Sequence, residues 1–278
     1  MTYKTIVVHC DAGKTVSHRL DVAAGLAQRF EAHLVGLHVR RPFEAPAYDI
    51  GGSSFAMDEF FRSYEEGVKT DEATALAAFT KATKGKALST EWRVVNGYVD
   101  VELIVQARYA DLVIVGQAED QTATPSDLPE AVALATGRPV LAIPYIGARK
   151  PPGKVAMVCW NASREAARAV SDALPFLKAA DKVVVLVVDP RKSAAGHGAE
   201  PGADVAAWLS RHGVKVTVQR DVAPDTDIGA VILSRAADHD ADLIVMGIYG
   251  HSRMREFVLG GASRTLLGSM TVPILMAH

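Results

Sequence analysis

The sequence lacks the features of a secreted, membrane-spanning or nucleic-acid-binding protein. Only two of its 278 residues are cysteines, Cys10 and Cys159, so no disulfide framework is expected and a cytoplasmic location is favoured. No apolar run approaches the roughly 18 residues of a transmembrane helix, and the first residues lack the apolar segment of a signal peptide. The formal net charge of −2 gives no reason to expect binding to nucleic acid.

Catalytic and metal-binding motifs are also missing. The nine histidines do not have the spacing of metal ligands, and we expect them at the surface or at the ends of helices and strands. No Gly-x-Ser-x-Gly motif is present, and no Ser/His/Asp set can be assigned. The sequence therefore predicts neither catalytic residues nor metal ligands.

What the sequence does contain is an internal repeat. Hydrophobic residues make up 49% of the chain, enough for large cores, and three segments of the first half recur in the second. The matching pairs are residues 4–12 and 154–162, 110–116 and 241–247, and 138–144 and 272–277. We predict two copies of one domain, residues 1–146 and 153–278, separated by a polar linker rich in proline and glycine.

The alternation of strand-like and helix-like segments indicates the fold class. In the second half, apolar runs predict strands of a parallel sheet, at residues 154–160, 182–188, 214–220, 242–247 and 272–277. Helical patterns such as 163–180 and 228–239 alternate with them. We therefore predict an α/β protein of two doubly wound, five-stranded, Rossmann-like parallel-sheet domains in tandem. Ligands of such sheets bind beyond the carboxyl ends of the strands, where Asn161 and Gly247 would meet if their strands are neighbours.

The strongest motif lies near the C-terminus. The strand that ends at Gly247 is followed by Gly250 and, at the start of a predicted helix, by the run Gly260, Gly261, Ala262 and Ser263. Glycines beside a helix start expose backbone N–H groups that bind phosphate. A loop and helix cap without a ligand is the alternative, and we favour a nucleotide site. His251 lies inside the glycine loop and could contact phosphate, and Arg253, Arg255 and Arg264 could neutralise its charge.

The first half departs from this pattern in two places. Residues 42–58 form a long predicted loop that the second half lacks. After Gly116, residues 117–129 contain acidic residues and two prolines but no pair of glycines. We therefore predict an empty or altered site in the first half, and one hypothesis is that the 42–58 loop covers it.

The glycine motif and its context resemble the universal stress protein family. The resemblance rests on the spacing Gly247-x-x-Gly250-x9-Gly260 after an Asp-Leu-Ile-Val-Met strand, and on the closing strand Val-Pro-Ile-Leu-Met. Because both halves share the pattern, the chain resembles a tandem member. The resemblance implies a five-stranded parallel sheet in each half and bound ATP, or AMP or ADP, with little or no turnover.

The resemblance also implies roles for individual residues. Gly247 and Gly250 would let the loop approach the ribose and phosphates, and Met246 would line the adenosine side. Asn161 would lie near the nucleoside, and Val188 would offer backbone groups to the adenine edge. The phosphate turn would consist of Gly260, Gly261, Ala262 and Ser263.

The sequence departs from the family at two of these positions. Gly261 stands where the family often has Ser or Thr, which removes a hydroxyl that Ser263 could supply. Asn161 stands where the family often has Asp, which removes a carboxylate but keeps an acceptor and adds a donor. We expect each change to weaken affinity or alter the choice of nucleotide.

Three functions remain open at this point. The first is an ATP-binding regulatory module that presents its bound state to an unidentified protein partner. The second is a slow ATP hydrolase or phosphotransferase, which would require Mg²⁺ and an acidic residue such as Glu256. The third is a nucleotide-free scaffold. In each case the last strands, Val140–Ile143 and Pro273–Ala277, could pair within the chain as a pseudo-dimer, with a homodimer as a further hypothesis.

Overall fold

The computed structural model describes most of the chain, at residues 2–44, 54–117, 127–148, 150–190, 198–223, 226–248 and 261–278. Over these ranges it contains ten strands and nine helices, in which strands and helices alternate through each half. None of the helices that it describes is long and apolar enough to cross a membrane.

The first half has five strands and four helices. In chain order they are β1 (Thr5–His9), α1 (Val16–Phe30), β2 (His33–Arg40), α2 (Ser54–Thr83), β3 (Thr90–Asn96), α3 (Val99–Ala107), β4 (Leu112–Gly116), α4 (Leu128–Thr136) and β5 (Val140–Ile143).

The second half repeats this order with one additional helix. Its elements are β6 (Val155–Cys159), α5 (Arg164–Asp172), α6 (Leu174–Ala179), β7 (Lys182–Val188), α7 (Ala203–Arg211), β8 (Val216–Asp221), α8 (Ile228–Asp238), β9 (Leu243–Gly247), α9 (Gly261–Ser269) and β10 (Ile274–Ala277).

The sequence explains why these segments form. The central strands are continuous apolar runs because helices cover both faces of the sheet, and β1, β4 and β9 are almost wholly buried. Asp242 holds the start of β6, because its carboxylate accepts hydrogen bonds from the N–H groups of Gly153, Lys154 and Val155. Asp111 does the same for the residues that begin β1. The repeated Ala-Asp-Leu motif therefore anchors the first strand of each half.

All ten strands form one sheet, in the order β3-β2-β1-β4-β5-β10-β9-β6-β7-β8. Neighbouring strands within each half are parallel, whereas β5 and β10 are antiparallel, with Leu141 opposite Leu275. The predicted pairing of the last strands within one chain is therefore confirmed. Because the two halves run in opposite directions, the carboxyl ends of their strands lie at opposite edges of the sheet.

The halves also pack through a buried aromatic cluster on one face of the sheet. Tyr3, Phe30 and Phe176 have ring centroids 5.1–5.6 Å apart, and the Tyr3 hydroxyl donates to the carbonyl of Asp172 at 2.7 Å. Arg29 donates to the carbonyls of Pro152 and Gly153 in the linker. The hydrophobic cores on both faces of the sheet include residues of both halves, so the two repeats share their cores.

Several predicted boundaries were wrong. The predicted 42–58 loop ends earlier, because α2 already begins at Ser54; residues 45–53 lie outside the described residues. The predicted 163–180 helix is two helices that separate at Ala173, since Pro175 can only occupy a first helical turn. The predicted 214–220 strand begins at Val216 and ends at Asp221.

The prediction for the histidines was wrong at His38, which is buried within β2. His9 is also buried, but it is the last residue of β1, as the prediction allows. His38 donates from Nδ1 to the carbonyl of Cys10 at 2.8 Å and stacks against Trp92. Cys10 is fully buried and Cys159 is half-buried, and both thiols are free.

Candidate functional site

The second half has a crevice at the carboxyl ends of β6 and β9. These strands are parallel neighbours, and Cys159 is opposite Met246 in their register. Asn161 follows Cys159 by two residues, and Gly247 follows Met246 directly. The structure therefore brings Asn161 and Gly247 to the same edge of the sheet, at the point where the strand order reverses and where ligands of such sheets bind.

Asn161 shapes the turn between β6 and α5. Its side-chain oxygen accepts a hydrogen bond from the N–H of Ser163 at 3.1 Å, and Ser163 in turn caps α5 by accepting from the N–H of Ala166 at 3.1 Å. Ala162 between them has a left-handed φ of 58°. The oxygen of Asn161 is used in this way, and its exposed amide keeps an N–H₂ group that can donate to a ligand.

Gly247 has a packing role that the sequence did not reveal. A Cβ atom at this position would overlap the backbone of Glu165 and Ala166 in the first turn of α5. The missing side chain therefore lets α5 rest directly on the end of β9. This contact fixes the start of α5 beside the segment that carries the glycine motif.

Glu165 places a buried carboxylate at this contact. Its side chain is 3% exposed, its Oε1 pairs with the guanidinium of Arg164, and its Oε2 has no hydrogen-bond partner in the part of the chain that the structure describes. Burial alone would raise the pKa of Glu165, but the hydrogen bonds from Arg164, from its own backbone and from Ser163 outweigh it and lower the pKa. Glu165 is therefore ionised at neutral pH and is a weak base.

The helix α9 supplies the second part of the site. It begins at Gly261 and runs back along the sheet to β10, so its first turn, with Gly261, Ala262 and Ser263, lies at the carboxyl edge of β9. The N–H groups in the first turn of a helix have no partner within the helix and carry a partial positive charge. Ser263 is buried in this turn. The arrangement can hold an anion such as phosphate.

Two further predicted residues lie at the same edge. Val188 is the last residue of β7, which is the neighbour of β6, and it is half-buried. Met246 is buried in the apolar core against β6 and β10 rather than open to the crevice.

Four predicted site residues, Gly250, His251, Arg253 and Gly260, lie outside the described residues, as do Arg255 and Glu256. Arg264 lies in α9 and is exposed.

The corresponding crevice of the first half contains a buried arginine. Arg19 lies in α1 and is 4% exposed. Its Nε donates to the carbonyl of His9 at 2.7 Å, and its Nη2 lies 3.0 Å from a carboxylate oxygen of Asp11. Its Nη1 occupies the space that a Cβ on Gly116 would need. The guanidinium therefore spans the carboxyl ends of β1 and β4.

This cluster has strongly shifted pKa values. Burial lowers the pKa of His9 to about 4, so the imidazole is neutral at pH 7. Burial acts to raise the pKa of Asp11, but the charges of Arg19 and His9 outweigh it and lower the pKa to about 2. When the repeats are aligned from Lys4 and Lys154, Asp11 corresponds to Asn161 and Arg19 to Ala169. The second half thus lacks both charges of this pair.

Arg19 was missed in the sequence although a signal was present. It precedes Ala23 and Ala27 at intervals of four residues, on the buried face of α1. A cation on the apolar face of a helix requires a buried partner, and Asp11 at the end of β1 supplies it. Of the predicted altered segment, residues 117–129, the part from 118 to 126 lies outside the described residues.

A cavity of about 450 Å³ lies at the carboxyl end of β2 in the first half, between α2 and the start of α3. Its lining includes two arginines and three carboxylates, at Arg40, Arg41, Glu44, Asp71 and Asp100. One of the arginines, Arg40, is already paired with Glu72 at 2.6 Å. The cavity therefore lacks the excess of positive charge that a nucleotide phosphate chain requires.

Comparison with known proteins identifies the same fold in others. The model of the universal stress protein family matches residues 2–125 and 154–278. A universal stress protein from Archaeoglobus fulgidus DSM 4304 is similar over 98% of this chain and 95% of its own, with 15% identity and a TM-score of 0.71. A functionally unknown protein from Pseudomonas aeruginosa PAO1 is similar over 99% and 92%, with 16% identity and a TM-score of 0.56.

A shorter structure, a universal stress protein in complex with cAMP, matches 50% of this chain and 95% of its own at 23% identity and a TM-score of 0.31. No curated protein sequence matches the chain significantly. The two longer structures extend over both halves, so the tandem arrangement of the fold is shared.

Proposed function

The chain belongs to the universal stress protein family, and we propose that it is a cytoplasmic regulatory protein that binds one adenine nucleotide in its second half. ATP is the proposed ligand, with AMP or ADP as alternatives, and with or without Mg²⁺. The nucleotide is held with little or no turnover. Its presence would alter the surface that an unidentified protein partner contacts.

The position of α9 carries this proposal. The first turn of α9 presents the N–H groups of Gly261, Ala262 and Ser263 at the edge where β6 and β9 end. A phosphate group bound there would accept hydrogen bonds from these groups and from the Ser263 hydroxyl. Asn161 follows β6, the neighbour of β9, and Val188 ends β7, the neighbour of β6. Both lie along the same edge and would contact the nucleoside.

The charges at the two crevices favour the second half over the first. In the first half the guanidinium of Arg19 already fills the space between the ends of β1 and β4 and is neutralised by Asp11. In the second half the corresponding residues are the small Ala169 and the neutral Asn161. We therefore expect one nucleotide per chain.

Low turnover is proposed because the described residues offer no strong base beside the site. Glu165 lies against Gly247 through its backbone, and its hydrogen bonds lower the pKa of its carboxyl group. Mg²⁺ commonly binds one or two carboxylates together with phosphate oxygens. The Oε2 atom of Glu165 is buried and Oε1 is already paired with Arg164, so this carboxylate is shielded from an incoming Mg²⁺ ion.

Equilibrium binding of ATP to purified protein tests the proposal. Protein freed of endogenous ligand by unfolding and refolding is titrated with ATP in a calorimeter, and we expect one site per chain. Ser263→Ala removes a hydroxyl from the first turn of α9 and is expected to raise the Kd about tenfold, because hydrogen bonds to charged groups contribute about 1.5 kcal/mol or more.

Ser269→Ala, at the opposite end of the same helix, is the matched control and is expected to leave the Kd unchanged. Absence of binding at millimolar ATP would refute the proposal. Two bound nucleotides per chain would refute the assignment to the second half alone, and phosphate release in the presence of Mg²⁺ would favour a hydrolase.

A further inference from the structure

A single amide of the first half is bonded to the far end of the helix α9. Gln117 follows β4 and is 8% exposed. Its Nε2 donates to the carbonyls of Leu267 and Gly268, at 2.8 and 3.2 Å. Its Oε1 accepts from the N–H of Tyr145 at 3.1 Å. The amide N–H₂ group of Gln117 thus crosses to the second half, while its oxygen is held by Tyr145 within the first half.

The bonds matter because the end of a helix has unpaired carbonyls. The last four C=O groups of a helix have no partner within it, and α9 has only nine residues. The matching helix of the first half, α4, ends at Gly137 in the left-handed conformation, with φ 63°. That is a common way to end a helix.

The end of α9 has no such left-handed residue. When the repeats are aligned at Pro139 and Pro273, Gly137 corresponds to Thr271, whose φ is not positive. Donors from Gln117 satisfy the α9 carbonyls instead. The counterpart of Gln117 in the second half is Ile248, which is buried in the apolar core and cannot donate from its side chain. A side chain of the first half therefore donates to the end of α9, but its counterpart in the second half does not donate to the end of α4.

We infer that Gln117 is a positioning residue for the nucleotide site of the second half, which it controls through the C-terminal end of α9. The inference rests on the proposed function, because the first turn of the same short helix holds the proposed phosphate. The antiparallel pairing of β5 and β10 explains the geometry, since it places the end of β4 at the edge of the sheet where α9 ends. The first half would thus help to position the nucleotide site of the second half.

Hydrogen exchange on nucleotide-free protein tests the structural step by itself. Gln117→Leu keeps the size of the side chain but removes both donors, and peptides that cover α9 are expected to exchange about tenfold faster. A tenfold change corresponds to about 1.4 kcal/mol, which the loss of two hydrogen bonds can produce. Gln106→Leu is the matched control, because Gln106 also lies in the first half and accepts from Arg93 at 2.6 Å. It should leave α9 exchange unchanged.

Gln117→Glu separates the hydrogen bonds from a general loss of packing. A carboxylate would face the α9 carbonyls without a proton to donate, so α9 is expected to exchange faster than in Gln117→Leu at pH 8. Protonation at lower pH restores one donor. The α9 exchange rate of Gln117→Glu divided by that of Gln117→Leu, both measured at the same pH, should therefore fall as the pH is lowered. A side chain that only fills space would not produce this pH dependence.

ATP titration then tests the functional step. Gln117→Leu is expected to raise the Kd for ATP about fivefold, since α9 must be reordered when phosphate binds, and Gln106→Leu is expected to leave it unchanged. Unchanged α9 exchange in Gln117→Leu, equal effects of both leucine variants, or faster exchange with an unchanged Kd would each overturn the inference. If the unmutated protein binds no ATP, the proposed function fails, and the exchange data still decide whether Gln117 orders α9.

Discussion

Glu130 is expected to reduce the stability of the protein as the pH rises through neutrality. It lies in the first turn of α4, is 5% exposed, and its Oε2 has no hydrogen-bond partner among the residues that the structure describes. Burial raises the pKa of Glu130 from 4.5 to about 7, and the nearby carboxylate of Asp127 adds to the effect. The folded protein therefore binds the proton of Glu130 more tightly than the unfolded chain does.

The sign and size follow from this difference. The stabilising contribution of protonated Glu130 is fully present below pH 4.5 and is lost as the pH rises to about 7. The rise from 4.5 to about 7 is about 2.5 pKa units, so at 1.36 kcal/mol for each unit ionised Glu130 costs the folded state about 3 kcal/mol at pH 8. Glu130→Gln removes the ionisation, so we expect the variant to be more stable than the unmutated protein by about that amount at pH 8.

Urea unfolding at pH 4.5 and pH 8, followed by circular dichroism and tryptophan fluorescence, measures the effect. The free energy of unfolding of Glu130→Gln is compared with that of the unmutated protein at the same pH, so that the titration of other groups cancels. Glu102→Gln removes a carboxylate from the first turn of α3 and controls for the loss of a charge near a helix start, worth about 0.3–1 kcal/mol. If the stability difference between Glu130→Gln and the unmutated protein is the same at both pH values, the reasoning is refuted.

Three further changes test the packing of the crevices and of the two halves. Gly247→Ala is expected to lower the free energy of unfolding by about 2–4 kcal/mol, because the backbone of α5 must move, whereas Gly25→Ala in the open part of α1 should not lower it. Arg19→Met removes the buried guanidinium that pairs with the carboxylate of Asp11, whose side chain is 27% exposed, and should cost about 3 kcal/mol; failure of an added Asp11→Asn to restore most of it would contradict the ion-pair interpretation. Phe176→Ala is expected to cost about 3–5 kcal/mol in urea unfolding because it empties the aromatic cluster between the halves, and a cost below about 1 kcal/mol would count against that cluster.

Much of the fold could be predicted because the strands carry their own signal. Continuous apolar runs predicted the second-half strands to within two residues at most ends, as for the 182–188 prediction and the observed Lys182–Val188. The repeat predicted two similar sheets, and the short closing strands predicted their pairing within the chain, which the register of Leu141 and Leu275 confirms.

The contacts that shape the candidate site depend on tertiary structure and could not be predicted from the sequence. Gly247 was interpreted only as a residue that lets a ligand approach, since its contact with Glu165 exists only after α5 has packed on β9. Gln117 gave no signal, because its bonds to α9 require the antiparallel joining of the halves. Whether Gly247, Asn161 and Ser263 bind a nucleotide stays a prediction.

The pairing of β5 with β10 also determines how this protein can associate. Each repeat taken alone ends in a strand with an unpaired edge, which another strand could extend. Because the two edges are joined to each other, the open edges of the sheet are β3 and β8. These strands carry charged residues, among them Glu91 and Arg93 in β3 and Arg220 and Asp221 in β8, and charged edge strands disfavour the addition of further strands. At both open edges that the described residues form, the addition of a strand from another chain is therefore disfavoured.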